Sequence, residues 1–302
     1  MSKSRCDATA RKLKLNSKSS KDMTTFLIDS ALSRADEIAE LAEFIAEEYG
    51  TNGRVEPLSI ARKKNITYSF GYYKNAFDGM LEYYEKRFHI YCNLSRVERH
   101  DSPRARFTLA HELGHYFIDE HRNALQSGFA PAHLSICEYE SDNLVEREAD
   151  WFASNLLMPR SYFLQRAKNF ALGMPGILEL QRYFQTSVTS TALRYAQIGL
   201  VPCLVMRWDF QRGLIWRFTS NDKFILQFPS PLSATRHLPE NSPTLWALMN
   251  ARPPQQGFFA TKLSASAWFP TLNDPALRNA TCVEQAIRLG QFGVLTFLYF
   301  MD

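Results

Sequence analysis

The sequence predicts an α+β fold in several parts, on three observations. A helical period runs from Asp29 to Tyr49, aromatic and β-branched runs follow at 66–73 and 80–92, and near Val201 the texture changes to short Trp-, Phe- and Pro-rich runs. At 302 residues, 45% hydrophobic and 13% aromatic, the chain exceeds one average domain and has material for two or three cores. The expected division is a disordered basic tail at 1–22, a first mixed domain at 23–164, a helix-turn-helix-like segment at 165–199 and a C-terminal α/β domain at 200–302.

In the first helix Ala31, Leu32, Ala35, Ile38, Leu41, Ala42 and Ile45 share one face, acidic residues fill the other, and Gly50 supplies a stop. Pro57 to Asn65 fits a second, short helix. The runs Ile66 to Tyr73 and Met80 to Cys92, separated by Asn75 to Gly79, are expected to be strands of a small antiparallel sheet. Ser102-Pro103 then offers an N-cap and a first-turn proline to a helix through RARFTLAHELGHYF, whose buried stripe is Phe107, Ala110, Gly114 and Phe117. Residues 119–142, with Ser127, Gly128, Pro131 and Ser135 among polar neighbours, read as a long loop, and loops of that length are usually functional. The next helix runs from about Asn143 to Met158, is stopped by Pro159, and carries Val145, Ala149, Phe152 and Leu156 as its core stripe.

Leu180, Phe184, Val188 and Leu193, around a short polar break, give Leu180 to Ile198 the pattern of a compact helix-turn-helix. Beyond it CLVMRW, GLIWRF, KFILQF and GVLTFLYF mark strands of a separate domain, α/β or α+β, of about 100 residues. Its only histidine is His237 and no nucleophile or ligand spacing occurs in it, so regulation or recognition is expected there rather than catalysis.

The formal charge of +4 is misleading about partners. The first 22 residues hold seven Lys or Arg against Asp7 and Asp22, so the rest of the chain is close to neutral and has no basic excess for a nucleic-acid face. Five scattered cysteines, Cys6, Cys92, Cys137, Cys203 and Cys282, form no CxxC pair and suit reduced thiols in a cytoplasm. No stretch approaches the roughly 18 apolar residues of a membrane span.

HELGH sets His111 and His115 four residues apart, so on a helix both imidazoles leave one face and can bind the same zinc, while Glu112 can take a proton from the attacking water. Such five-residue matches arise by accident in about one chain in a hundred of this length. A second feature is therefore needed, and a catalytic zinc wants a third protein ligand. Glu146 is the candidate, at the border of the next helix's apolar stripe, with Asp150 one turn on as a hydrogen-bond partner for a ligand imidazole. The bland reading of Glu146, Glu148 and Asp150 is a solvated face paired with Arg147. Glu148 competes as ligand, but it points roughly 200° around the helix from Glu146.

RFTLAHELGHYF at 106–117 and EREADWFASNLLMP at 146–159, in that order, resemble the ImmA/IrrE family of metallopeptidases, with a weaker upstream match to a strand ending in Asn93. The resemblance covers roughly residues 24–160. It implies a zincin-like metallopeptidase domain with zinc at His111, His115 and Glu146 and with Glu112 as general base, manganese or iron being able to substitute in a cell. It also implies a helix-turn-helix-like segment next, similar to 165–199, and in some members a C-terminal GAF-like domain. Family members typically cleave an Xre-like helix-turn-helix repressor and so release stress-response or mobile-element genes. Many have a His four residues after the second ligand, where this chain has Asp119 followed by His121; His121 and His133 are thus candidate transition-state stabilisers, against the plain reading of loop histidines.

The expectation is a cytoplasmic zinc endopeptidase with a protein substrate, and an edge strand such as His89 to Asn93 is expected to pair with extended substrate. Two rivals stand beside it. One is a DNA-binding regulator reading with Thr186 to Ala192, flanked by Arg182 and Arg194, around a non-catalytic zinc; the other sequesters a repressor without cutting it.

Overall fold

A computed structural model describes residues 34–129, 133–135, 143–231, 237–249, 252, 254–255 and 257–301, with His133 and Leu134 by backbone alone. The basic tail at 1–22 lies outside the described residues. The contacts divide the chain into two units. The first comprises the described residues of Met1–Tyr49 with Glu56–His100 and Thr108–Leu156; the second comprises Gly50–Val55, Asp101–Phe107 and the described residues of Leu157–Asp302.

In the first unit Ile38, Ala42, Ile45 and Ala46 are buried at the spacing of one helical face and make α1, residues 34–49. Short α2 (Pro57–Lys63) starts on its proline. Strands β1 (Thr67–Gly71), β2 (Gly79–Tyr84) and β3 (Arg87–Asn93) follow, then the single turn α3 (Leu94–Val97). The run read as one strand at 80–92 is a hairpin. Glu85 and Lys86 turn it with φ of 47° and 62°, the left-handed pair that a two-residue hairpin demands.

The sheet is mixed, not antiparallel as its residues suggest. β3 pairs antiparallel with β2 but parallel with β1, Thr67 facing His89 and Gly71 facing Asn93. The order β1-β3-β2-β4 puts β3 inside the sheet, so His89 to Asn93 cannot take up a substrate strand. Asn93 fixes this corner. Its Oδ1 accepts from the backbone N–H of Tyr73 and Ser95, and its Nδ2 donates to the carbonyls of Lys74 and Phe77.

Helix α4 (Pro103–Phe117) is capped by Ser102, whose Oγ accepts from the Ala105 N–H at 3.0 Å. The stretch read as a loop at 119–142 contains helix α5 (Asp119–Gln126) and a short strand, β4 (His133–Ser135), hydrogen-bonded to β2. Helix α6 (Leu144–Leu157) starts with Asn143 Oδ1 accepting from the Val145 N–H and ends ahead of Pro159. Gly114 lets α4 and α6 approach: a Cβ there would lie 3.2 Å from Ala149 Cα.

The second unit is helices α7 (Arg160–Ala167), α8 (Met174–Phe184) and α9 (Val188–Ile198) with a five-stranded sheet. Its strands are β5 (Cys203–Asp209), β6 (Gly213–Thr219), β7 (Phe259–Ser264), β8 (Thr281–Arg288) and β9 (Val294–Phe300), in the order β6-β5-β9-β8-β7. Every described pairing is antiparallel, which decides for α+β between the two readings of this domain. Alternation along the strands gives the sheet two buried faces. Cys203, Val205, Leu295 and Phe297 share a core with Phe163, Ile177, Leu180, Phe184 and Ala192 of α7–α9. Leu204, Met206, Trp208, Leu298 and Phe300 share another with Trp268, Phe269 and with Ala247 of α10 (Pro243–Met249).

In the segment read as helix-turn-helix-like, Gln185 in the left-handed region breaks α8 from α9 and Ser187 caps α9. A reader helix must present its side chains to a groove. Here Thr191, Ala192, Leu193, Arg194, Tyr195, Ala196 and Ile198 are buried, and Arg194 Nε donates to the Met158 carbonyl. No described helix is long and apolar enough to cross a membrane. Cys92, Cys203 and Cys282 are buried free thiols, each pushed up to about 12 by that burial.

Candidate metal centre

Helical spacing on α4 brings the imidazoles of His111 and His115 together, with Nε2 to Nε2 3.1 Å. Helix α6 delivers Glu146 to the same point: its Oε2 lies 3.4 Å from His111 Nε2 and its Oε1 lies 3.3 Å from His115 Nε2. All three residues are buried, and their ligand atoms lie within 4.8 Å of one another.

The spacing fits a metal. For bonds of about 2.1 Å, the edge of a tetrahedron is about 3.4 Å; the two imidazole nitrogens lie 3.1 Å apart and each has one oxygen of the Glu146 carboxylate at 3.3 to 3.4 Å, so two rings and one carboxylate converge at the scale of a single ion. The charges fit as well. Burial alone would lower the His111 imidazole, yet Asp150, Glu146 and Glu112 together raise it to about 10: the pocket is built to hold positive charge. Glu146 would be raised by burial, but hydrogen bonds with His111 and His115 hold it well below the ordinary carboxylate range.

Glu112 is fully buried, next in sequence to His111, and among the described residues neither of its carboxylate oxygens makes a hydrogen bond of good geometry. Burial pushes it up to about 8, with His111 and Ser135 opposing the shift. A buried carboxylate so weakly partnered is costly, and it persists where a group to be bound completes its bonding. Gly79 of β2 makes room for it, since a Cβ there would sit 2.5 Å from Glu112 Oε1 and from Thr108 Cγ2.

Residues 96–195, about a third of the chain, match the peptidase family model described as the IrrE N-terminal-like domain. Over these residues the chain is similar to an IrrE N-terminal-like domain. No curated protein matches the chain in sequence. Among solved structures, a Mycobacterium tuberculosis transcriptional regulator is similar with a TM-score of 0.53 and 13% identity, over 87% of this chain and 76% of that one. At that identity the likeness is one of fold.

Within the IrrE-like domain the other singled-out residues fall in three places. Asp150 Oδ1 lies 2.8 Å from His111 Nδ1. His121 is buried on α5, and the ring nitrogen nearest the centre, Nδ1, lies 3.2 Å from Nδ1 of His115, on the side of that ring away from Glu146. It thus stands behind the His115 ring as seen from Glu146. His133 is on β4, and its side chain lies outside the described residues.

Sequence reasoning missed a layer. Glu148 points away from Glu146 as its helical angle requires, yet it is buried too, its Oε2 2.9 Å from His121 Nε2 and its Oε1 3.2 Å from Arg34 Nε. Arg34 in turn reaches Glu120 at 2.9 Å. Nothing local in the sequence says that α1, α5 and α6 meet there.

Proposed function

We propose that this protein is a zinc-dependent endopeptidase in which His111, His115 and Glu146 hold the metal and Glu112 is the general base. The observation that carries this reading is the convergence of His111, His115 and Glu146 beside the buried Glu112 carboxylate. When bound, zinc supplies Lewis-acid polarisation of water and of the scissile carbonyl. Burial makes the Glu112 carboxylate more basic, and its place beside His111 lets it take the water's proton and pass it to the leaving amine. Asp150 fixes the ring of His111 from behind.

Strand β4, the outermost of its sheet among the described residues, ends at Ser135, whose hydroxyl opposes the rise of the Glu112 carboxyl; an extended substrate chain is proposed to pair with its free edge. Such a cleft accepts a linker more readily than a folded segment. The proposed substrate is an Xre-like helix-turn-helix repressor cut at one place, in a stress-response or mobile-element switch located in the cytoplasm. The family resemblance supports this, and a fold neighbour described as a transcriptional regulator is consistent with it. Selectivity would then come from docking of the folded repressor away from the cleft.

The test incubates purified protein and zinc with the helix-turn-helix repressor encoded nearest its gene, with and without chelator, and reads the mass of the products. One cut, lost with chelator and in Glu112→Gln, is the expected result. An intact repressor in tight complex would make the protein a sequestering factor, and many unrelated cuts would make it a general peptidase.

A further inference from the structure

We infer that His121 and Glu148 form a proton-setting relay that holds His115 in the one tautomer able to bind the metal. The inference rests on the proposed metal site and assigns positioning residues to it.

A ring nitrogen that binds a metal carries no proton. In His115 that nitrogen is Nε2, which faces His111 and Glu146, so the proton of the neutral ring must be on Nδ1. Nδ1 lies 3.2 Å from His121 Nδ1. Two ring nitrogens in hydrogen-bond contact share one proton, so Nδ1 of His121 must accept and the proton of His121 must be on Nε2. That nitrogen lies 2.9 Å from Glu148 Oε2, a group that only accepts when ionised. Every donor therefore meets an acceptor in one direction, from His115 through His121 to Glu148. The reversed direction would put a proton on the nitrogen that faces the metal.

The anchor is built in. Both His121 and Glu148 are buried, and Arg34 clamps the far end through Nε to Glu148 and Nη2 to Glu120. The two ligand imidazoles are thus held differently: His111 directly by a carboxylate, His115 through a second imidazole. A packing role alone would need the volume of His121 and not the position of its nitrogens.

The experiment measures zinc affinity of the full chain by competition with a chromophoric chelator, for wild type, His121→Phe and His121→Asn. Losing an outer partner of a metal ligand costs about 10- to 100-fold in affinity, so His121→Phe, which keeps a ring, should bind zinc that much more weakly. His121→Asn places an accepting oxygen near the position of Nδ1 and should recover most of the loss. Phenylalanine within threefold of wild type, or asparagine no better than phenylalanine, overturns the relay. Nitrogen NMR of the zinc-loaded wild type reads the same point without a mutation: His121 should carry its proton on Nε2 alone, and a proton on its Nδ1 overturns the relay equally. A wild type that binds no zinc would instead sink the metal site itself, and the relay with it.

Discussion

At the scale of single residues, Glu112 and Glu146 have neighbouring positions and opposite duties. Glu146 is held ionised by two imidazoles, as a ligand must be, whereas burial pushes Glu112 up, the direction that strengthens its carboxylate as a proton acceptor. Glu112→Gln keeps shape and should leave zinc stoichiometry at one per chain while lowering the turnover of a cleaved repressor by about 100-fold or more. Activity within tenfold of wild type would remove Glu112 from the mechanism. Glu146→Ala should strip the metal, measured by elemental analysis after dialysis, and so should His111→Ala. Zinc at a hundredfold excess over its Kd should stabilise the wild type by about 2.7 kcal/mol and Glu146→Ala by almost nothing, which a thermal melt with and without the ion will show.

At the scale of elements, two glycines decide how close the pieces come. Gly114 lies against the backbone of Ala149, so Gly114→Val must push α6 away from α4 and carry Glu146 with it. Overpacking of this kind costs about 1 to 3 kcal/mol, and the metal should be lost along with stability. Gly79→Ala intrudes on Glu112 instead, so there the expected outcome is zinc retained and kcat reduced; unchanged kcat would show that Glu112 has room to spare. What the sequence made legible at this scale was local. The pairing of His111 with His115 follows from helical pitch, the start of α4 from Ser102 and Pro103, and the end of α6 from Pro159. What it hid was non-local or atypical. The parallel register of β1 on β3 joins residues 22 apart, the hairpin turns on Glu85 and Lys86 rather than on Asn or Gly, and polar α5 has the composition of the loop around it. For Glu148 the helical angle was readable, but not that His121 would be waiting on that side.

At the scale of the whole molecule, helices α7–α9 and the C-terminal sheet close one core, although composition sets them apart near Val201. Truncation after Gly199 should therefore leave Ile177, Leu180, Phe184 and Ala192 facing water, and amides of 174–198 should exchange far faster than in the full chain. Protection equal to the full chain would show that these helices stand without the sheet. The buried thiols offer a way to watch the two units separately. Cys92 belongs to the sheet of the first, Cys203 and Cys282 to that of the second, and with pKa values pushed up to about 12 all three are inert until their surroundings open. Alkylation during a slow denaturant ramp, followed peptide by peptide, thus becomes a clock with two hands: if zinc delays the tagging of Cys92 but not of Cys203 and Cys282, the ion guards one half of the chain, and if it delays all three, the halves come apart as one.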